Sequence, residues 1–398
     1  MTTPARLDSL TGDAVSGLGQ LRPTPLEIAS HCVIGSLPVP GVTGPLASPL
    51  DELERSLLVG LHRPPCLVSF SGGMDSSFVL AVAARLARRE GLPSPVPVTW
   101  RFSGAPHADE SAWQERVLAT LPVDDWQLLQ ADDDLDLLGP VAQRLLRRYG
   151  MLHPANLHLH LPIIEAAAGG SLLTGAGGDQ ILTGWTGSVR RARPLRHSVR
   201  HSLRQNLPAR LVTGLDRSRG RDPFPWLQAD VSRRLSSQLL LQFRAQPRPL
   251  DERIGWHAAR RDLQLTCSSL TAVAADHDVT LVNPLVAPRF LAALREDVGS
   301  TTELSRADLL ERLSDGRFPD VITALRPKAR FLEVFLREPT RSFVRTWDGS
   351  GVDGRQVDIE ALRDIWSRWP IPGGTAGLVQ QAWLAGHSTP SPRTDVPA

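Results

Sequence analysis

Residues 71–77 read Ser71-Gly72-Gly73-Met74-Asp75-Ser76-Ser77, and the segments on either side of them decide the fold. Before them runs Cys66-Leu67-Val68-Ser69-Phe70, short and apolar as a buried strand is. After them, Phe78 to Glu90 is rich in helix formers, sets Phe78, Val79, Val82 and Leu86 on one face, and meets a stop signal at Gly91. Strand, glycine turn and helix together make an anion site. The glycines let the backbone approach closely, and N–H groups at the helix start face phosphate oxygens. The spacing lacks both the Gly-Lys-Ser/Thr of a P-loop and the third glycine of the dinucleotide fingerprint. The serines add hydroxyl donors, and a carboxylate such as Asp75 at a phosphate site calls for a bridging magnesium ion. The plain alternative is a strand–turn–helix corner with a glycine-rich turn and no ligand.

Two later stretches repeat the theme. Ser171-Leu172-Leu173-Thr174-Gly175-Ala176-Gly177-Gly178-Asp179-Gln180 is again a short apolar run feeding a glycine turn that carries one acid. Leu325-Arg326-Pro327-Lys328-Ala329-Arg330-Phe331 holds the sole lysine of a chain that uses arginine everywhere else. A compact ammonium, unlike the planar guanidinium fork, suits a crowded phosphate site, so Lys328 reads as functional.

On these residues the chain resembles the synthetase domain of the asparagine synthetase family, within the ATP pyrophosphatase (PP-loop) superfamily. The resemblance spans roughly residues 50–340. It implies an ATP site in which Ser71, Gly72, Gly73, Asp75 and Ser76 cradle pyrophosphate and Thr174 and Gly175 border the ribose and adenine. Asp75 and Asp179 would share Mg2+, and Lys328 would offset charge at the phosphates. It also implies the chemistry: adenylation of a carboxylate with release of pyrophosphate, then amide formation with release of AMP. Two positions depart from the family's Ser-Gly-Glu-Gly-x-Asp-Glu pattern, Ala176 for a glutamate and Gln180 for the final acid. Family members carry a glutaminase domain that begins with cysteine after the initiator methionine, whereas Thr2 follows Met1 here. The expectation is an enzyme without its own glutaminase.

Composition sets the remaining bounds. With 398 residues, 41% of them hydrophobic, and a net charge of +2, the chain has ample core-forming residues. No dense basic tract argues for nucleic acid. No run approaches the roughly 20 apolar residues of a membrane span. Cys32, Cys66 and Cys267 are too scattered for a disulfide framework or a zinc site. A cytoplasmic protein without nucleic-acid or membrane partners is expected.

Taken in order, residues 1–49 read as an irregular lead-in, and Leu50 to Leu61 as a short helix. Val96–Phe102 and Trp126–Leu129 read as strands. Between them, Asp109 and Glu110 either cap a helix or contact the nucleotide. Asp132, Asp133 and Asp134 read as a solvated helix start. A helical pattern runs from Leu135 to Ala168, interrupted near Pro154 and Pro162, and His153, His158 and His160 within it read as structural or solvent-facing rather than as ligands. Residues 185–275 form a mainly helical insertion. Its arginines Arg190, Arg191, Arg193, Arg196, Arg200 and Arg204 read as a solvated face or, alternatively, a dock for an acidic partner. Glu252 to Asp276 reads as one helix and Val279–Val282 as the last strand. Residues 341–386 form a helical extension in which tryptophans read as core, and residues 387–398 read as a disordered tail.

The expected fold is α/β, a parallel sheet with helices on both faces and the nucleotide at the carboxyl ends of its strands. The extension resembles that of lasso-peptide-type macrolactam synthetases. The carboxylate substrate is then a small molecule or, as that resemblance implies, a peptide, with a precursor-peptide-binding protein and a protease as implied partners. Ammonia-dependent asparagine synthesis and a non-catalytic nucleotide-binding subunit are the alternatives.

Overall fold

The structure, a computed structural model, describes residues 21–182, 222–302, 304–324, 329 and 331–387. Five strands form one sheet: β1 (Cys66–Ser69), β2 (Val96–Phe102), β3 (Gln127–Ala131), β4 (Ser171–Leu173) and β5 (Thr280–Val282). All neighbours pair parallel in the order β3-β2-β1-β4-β5. The expected strands are all present, β3 lying slightly later than the sequence suggested.

The central strands β1 and β4 are mostly apolar because each buries both faces. Alternation sends Cys66, Val68 and Phe70 to one core and Leu67 to the other. The first core is closed by the helices Pro49–Leu61, Met74–Glu90, Leu250–Ala258, Pro288–Val298 and Arg306–Ser314. Across the sheet, Ile163 and Ile164 of the helix Leu161–Ala166 and Leu270 and Val273 of the helix Arg261–Ala275 cover Leu67, Val98 and Leu172. Helices on both faces of a parallel sheet are thus the architecture.

A third core lies apart from the sheet. It gathers Ala29 from the lead-in, Phe224, Trp226 and Val231, and then Trp347, Trp366 and Trp383 from the extension. The tryptophans are indeed core. Trp347 and Trp366 meet edge to face at 4.6 Å, and the Trp366 indole N–H donates to the Thr375 hydroxyl at 3.1 Å.

Two expectations need correction. The lead-in is not wholly irregular: Pro25–Ser30 is a helix started by a capping box between Thr24 and Glu27. The segment 252–276 is not one helix but two, Leu250–Ala258 and Arg261–Ala275. The break follows from the lead-in, which bonds there instead: the Leu37 N–H donates to the Ala259 carbonyl at 2.7 Å, and the Arg261 N–H to that of Gly35 at 3.0 Å. The pattern from Leu135 to Ala168 is interrupted near Pro154, as expected, and comprises Pro140–Tyr149 and Leu161–Ala166, with a 3-10 turn at Leu157–His160 leading into the second. Arg190 to Arg204 and the tail 388–398 lie outside the described residues. No helix among the described residues is long and apolar enough to cross a membrane.

Candidate active site

The chain leaves β1 toward β2 and β3 on one side, then returns to place β4 and β5 on the other. Neighbouring strands β1 and β4 are therefore where the winding reverses, and the crevice beyond their carboxyl ends is the natural ligand site of such a sheet. Both glycine turns found in the sequence open from these two strands.

After β1 the chain turns at Gly72, whose φ of 80° favours glycine, and enters the helix Met74–Glu90 from Gly73. No side chain caps that 17-residue helix. The serines instead hold the turn in shape: the Ser71 hydroxyl accepts from the Gly73 N–H at 3.2 Å and lies 3.1 Å from that of Ser76, which donates to the Gly73 carbonyl at 3.1 Å. The hydroxyl of Ser77 is buried without a hydrogen-bond partner.

The turn after β4 presses against the first. A Cβ on Gly175 would stand 3.0 Å from the Ser76 nitrogen, and one on Gly178 would stand 2.2 Å from the Asp75 carboxyl carbon. Only glycine allows this approach, which puts Asp75 and Asp179 in one site although about a hundred residues separate them. Thr174 anchors the second turn, its hydroxyl donating to the Asn283 side chain at 2.6 Å and accepting from the Ala176 N–H at 3.1 Å.

Between the two acids lies a residue that the sequence reading passed over. Arg306 pairs with Asp75 through one guanidinium nitrogen and with Asp179 through another at 2.7 Å. Burial pulls its pKa down, but the charges of and hydrogen bonds to Asp75 and Asp179 outweigh burial and leave it above the ordinary arginine value. One signal was available in the sequence. Arg306 opens the helix Arg306–Ser314 behind the Ser305 cap, and a cation at that end opposes the helix dipole unless acids hold it.

Gln114 was missed as well. Its side-chain amide donates to the Ser71 carbonyl at 2.9 Å and its oxygen accepts from Arg101, which lies over the Trp126 ring at 5.0 Å. Asp109 accepts from the Ser111 N–H at 2.9 Å and its pKa is lowered chiefly by the Ser111 hydroxyl, as for a capping group. His153 binds Asp262 at 2.9 Å, and His158 lies 2.9 Å from the Leu135 carbonyl. Burial brings the His160 pKa down to about 4, and among the described residues no group of three or more His, Cys, Asp or Glu could hold a metal ion. Lys328 lies outside the described residues.

The family model for asparagine synthase matches residues 60–295, more than half of the chain. The chain belongs to the asparagine synthase family. No curated protein matches it. Membership in the asparagine synthase family carries ATP-dependent ligase chemistry, and the crevice fits that substrate. An uncapped helix start and two glycine turns pressed together beside a carboxylate pair are what a polyphosphate with its counter-ion needs. The carboxylates of Asp75 and Asp179 already hold one cation, the guanidinium, so the same pair suits a magnesium ion that takes its other ligands from phosphates and water.

Proposed function

We propose that this asparagine synthase family member uses ATP to activate a carboxylate and transfers the acyl group to an amine. The observation that supports it is the meeting of Asp75 and Asp179 beside the uncapped Gly73 helix start. A carboxylate oxygen attacks the α-phosphorus, the bond to the β-phosphate oxygen breaks, and pyrophosphate leaves. The amine then attacks the acyl carbon, AMP departs with the bonding electrons, and the amine gives up a proton. Asp75 and Asp179 hold magnesium, which when bound neutralises developing phosphate charge. Ser71, Gly72, Gly73 and Ser76 receive the pyrophosphate, Thr174 and Gly175 border the nucleoside, and Lys328 adds positive charge at the phosphates.

The acyl substrate is bulky and carried on a peptide. Ala176 puts a methyl group where a family glutamate would take the amine's proton, and leaves room beside the acyl group. A lasso-type macrolactam, closed by an amine of the same peptide, meets both conditions; a precursor-peptide-binding protein and a protease would be its partners. The Arg306 bridge favours one other reading, a nucleotide-binding subunit whose metal site is permanently filled.

Pyrophosphate and AMP release, with mass spectrometry of candidate peptides, separates these readings. The proposal requires a product lighter than the peptide by one water and loss of turnover in Asp75→Asn and Asp179→Asn. Efficient asparagine formation from aspartate and ammonia would replace the peptide reading. Nucleotide binding without AMP formation from any carboxylate would favour the subunit.

A further inference from the structure

The Arg306 bridge bears on how the site loads. Its guanidinium engages Asp75 Oδ2 and Asp179 Oδ1, the second at 2.7 Å. A magnesium ion needs carboxylate oxygens at about 2.0–2.1 Å and would compete with the guanidinium for Asp75 Oδ2 and Asp179 Oδ1. Charge leads to the same conclusion. Two carboxylates and one guanidinium leave a single negative charge, whereas a divalent ion added without movement would stand beside a buried cation. The Arg306 side chain is 17% exposed, so water screens such a clash poorly. Its Nε is buried and makes no hydrogen bond. Arg306 thus spends its two terminal nitrogens on the acids and keeps a further donor unused, at a helix end that disfavours a cation.

We propose, building on the magnesium reading above, that Arg306 is an exchangeable counter-ion. It holds Asp75 and Asp179 while the site is empty, and yields them when magnesium arrives with its polyphosphate. The guanidinium then turns onto phosphate oxygens, where its fork can bind bidentately. The exchange keeps charge matched at each stage. The acids are never left unpaired, and a metal ion without phosphate is resisted because Arg306 has nowhere better to go.

Binding measurements on the whole protein test this without turnover. Mn2+ serves as the metal probe, followed by its EPR signal, and inorganic pyrophosphate as the anion. Arg306→Gln should bind Mn2+ alone about ten-fold more tightly than the parent, since roughly 1.4 kcal/mol of competition corresponds to that factor. The same variant should bind Mn2+ and pyrophosphate together more weakly. Adding Asp75→Asn to it should remove the gained Mn2+ affinity. Arg306→Lys keeps the charge without the fork, and should resist Mn2+ alone yet recover only part of the pyrophosphate binding; it carries the test should Arg306→Gln misfold. Unchanged Mn2+ binding in Arg306→Gln, with Asp75→Asn still abolishing binding of Mn2+ and pyrophosphate together, would overturn the exchange and leave the metal site standing. Asp75→Asn with intact binding of both would overturn the metal site, and the exchange with it.

Discussion

The side-chain amide of Gln114 donates to the backbone carbonyl of Ser71 at 2.9 Å, tying the helix after β2 to the residue that opens the first glycine turn. Arg101, held over Trp126, fixes the other end of the same amide. The turn is thus positioned by a side chain that need not touch the nucleotide. Gln114→Leu should raise the KM for ATP about ten-fold, the equivalent of ~1.4 kcal/mol, and change kcat less. Steady-state AMP formation at varied ATP reads this directly. An equal fall in kcat would mean that Gln114 serves the chemical step instead.

Gly178→Ala drives a methyl group into the Asp75 carboxylate, which a Cβ there would approach to 2.2 Å. The expected result is loss of magnesium-dependent pyrophosphate release from a protein that still folds. Gly91→Ala is the matched control. Its φ of 66° makes it strained, yet nothing lies within 4 Å of the added atom. It should cost about 1–2 kcal/mol of stability and spare activity. Circular dichroism melts beside the activity assay separate the two effects.

Glu52 is a buried carboxylate with three charged or polar neighbours. Hydrogen bonds from Arg289 bring its pKa down from 4.5 to about 2 against the opposing effect of burial, with the Ala47 N–H and Arg55 assisting. A depressed carboxylate stabilises the fold fully above its unfolded pKa. That contribution is lost as pH falls from about 4.5 toward 2. Allowing for the partly exposed arginines, Glu52→Gln should remove on the order of 2 kcal/mol at neutral pH. Urea midpoints measured down the pH scale should then fall less steeply for the variant than for the parent.

Lys328 is the sole lysine of the chain. Lys328→Ala should slow AMP formation about 100- to 1000-fold, the usual effect of losing one preorganised charge at a reacting centre. Lys328→Arg should recover only part of it, because a planar fork is not a compact ammonium. Full activity in the arginine variant would remove the significance attached to that lysine.

Strands β1 and β4 were legible because they are short apolar runs delivered into glycine turns, a local signal that needs no tertiary information. Asp75 and Asp179 were legible for the same reason, each being the one acid in its turn. Arg306 was not. It lies 127 residues from Asp179, among many arginines, and only the placement of a cation at a helix start sets it apart. The break at Ala259 was hidden because helix-forming residues run through it, and the bonds that interrupt it come from Gly35 and Leu37. The first helix could have been found, since Thr24 and Glu27 stand at capping-box spacing.

The tryptophan-rich core has an implication for how the chain is made. The nucleotide lobe needs segments up to the helix Arg306–Ser314, whereas this core sets Ala29 of the lead-in against Leu378, Val379 and Trp383 of the helix Ala376–His387. Gly377 allows that helix to lie against the Ile28 carbonyl, 2.7 Å from where a Cβ would be. During translation the segment Pro25–Ser30 would emerge early and meet its partners in stages: the Trp226 indole N–H donates to the Ala29 carbonyl at 2.8 Å and Arg261 pairs with Glu27, so only its last contact, with the helix Ala376–His387, waits some 350 residues. At about 5–20 residues per second that last contact comes tens of seconds after the segment emerges.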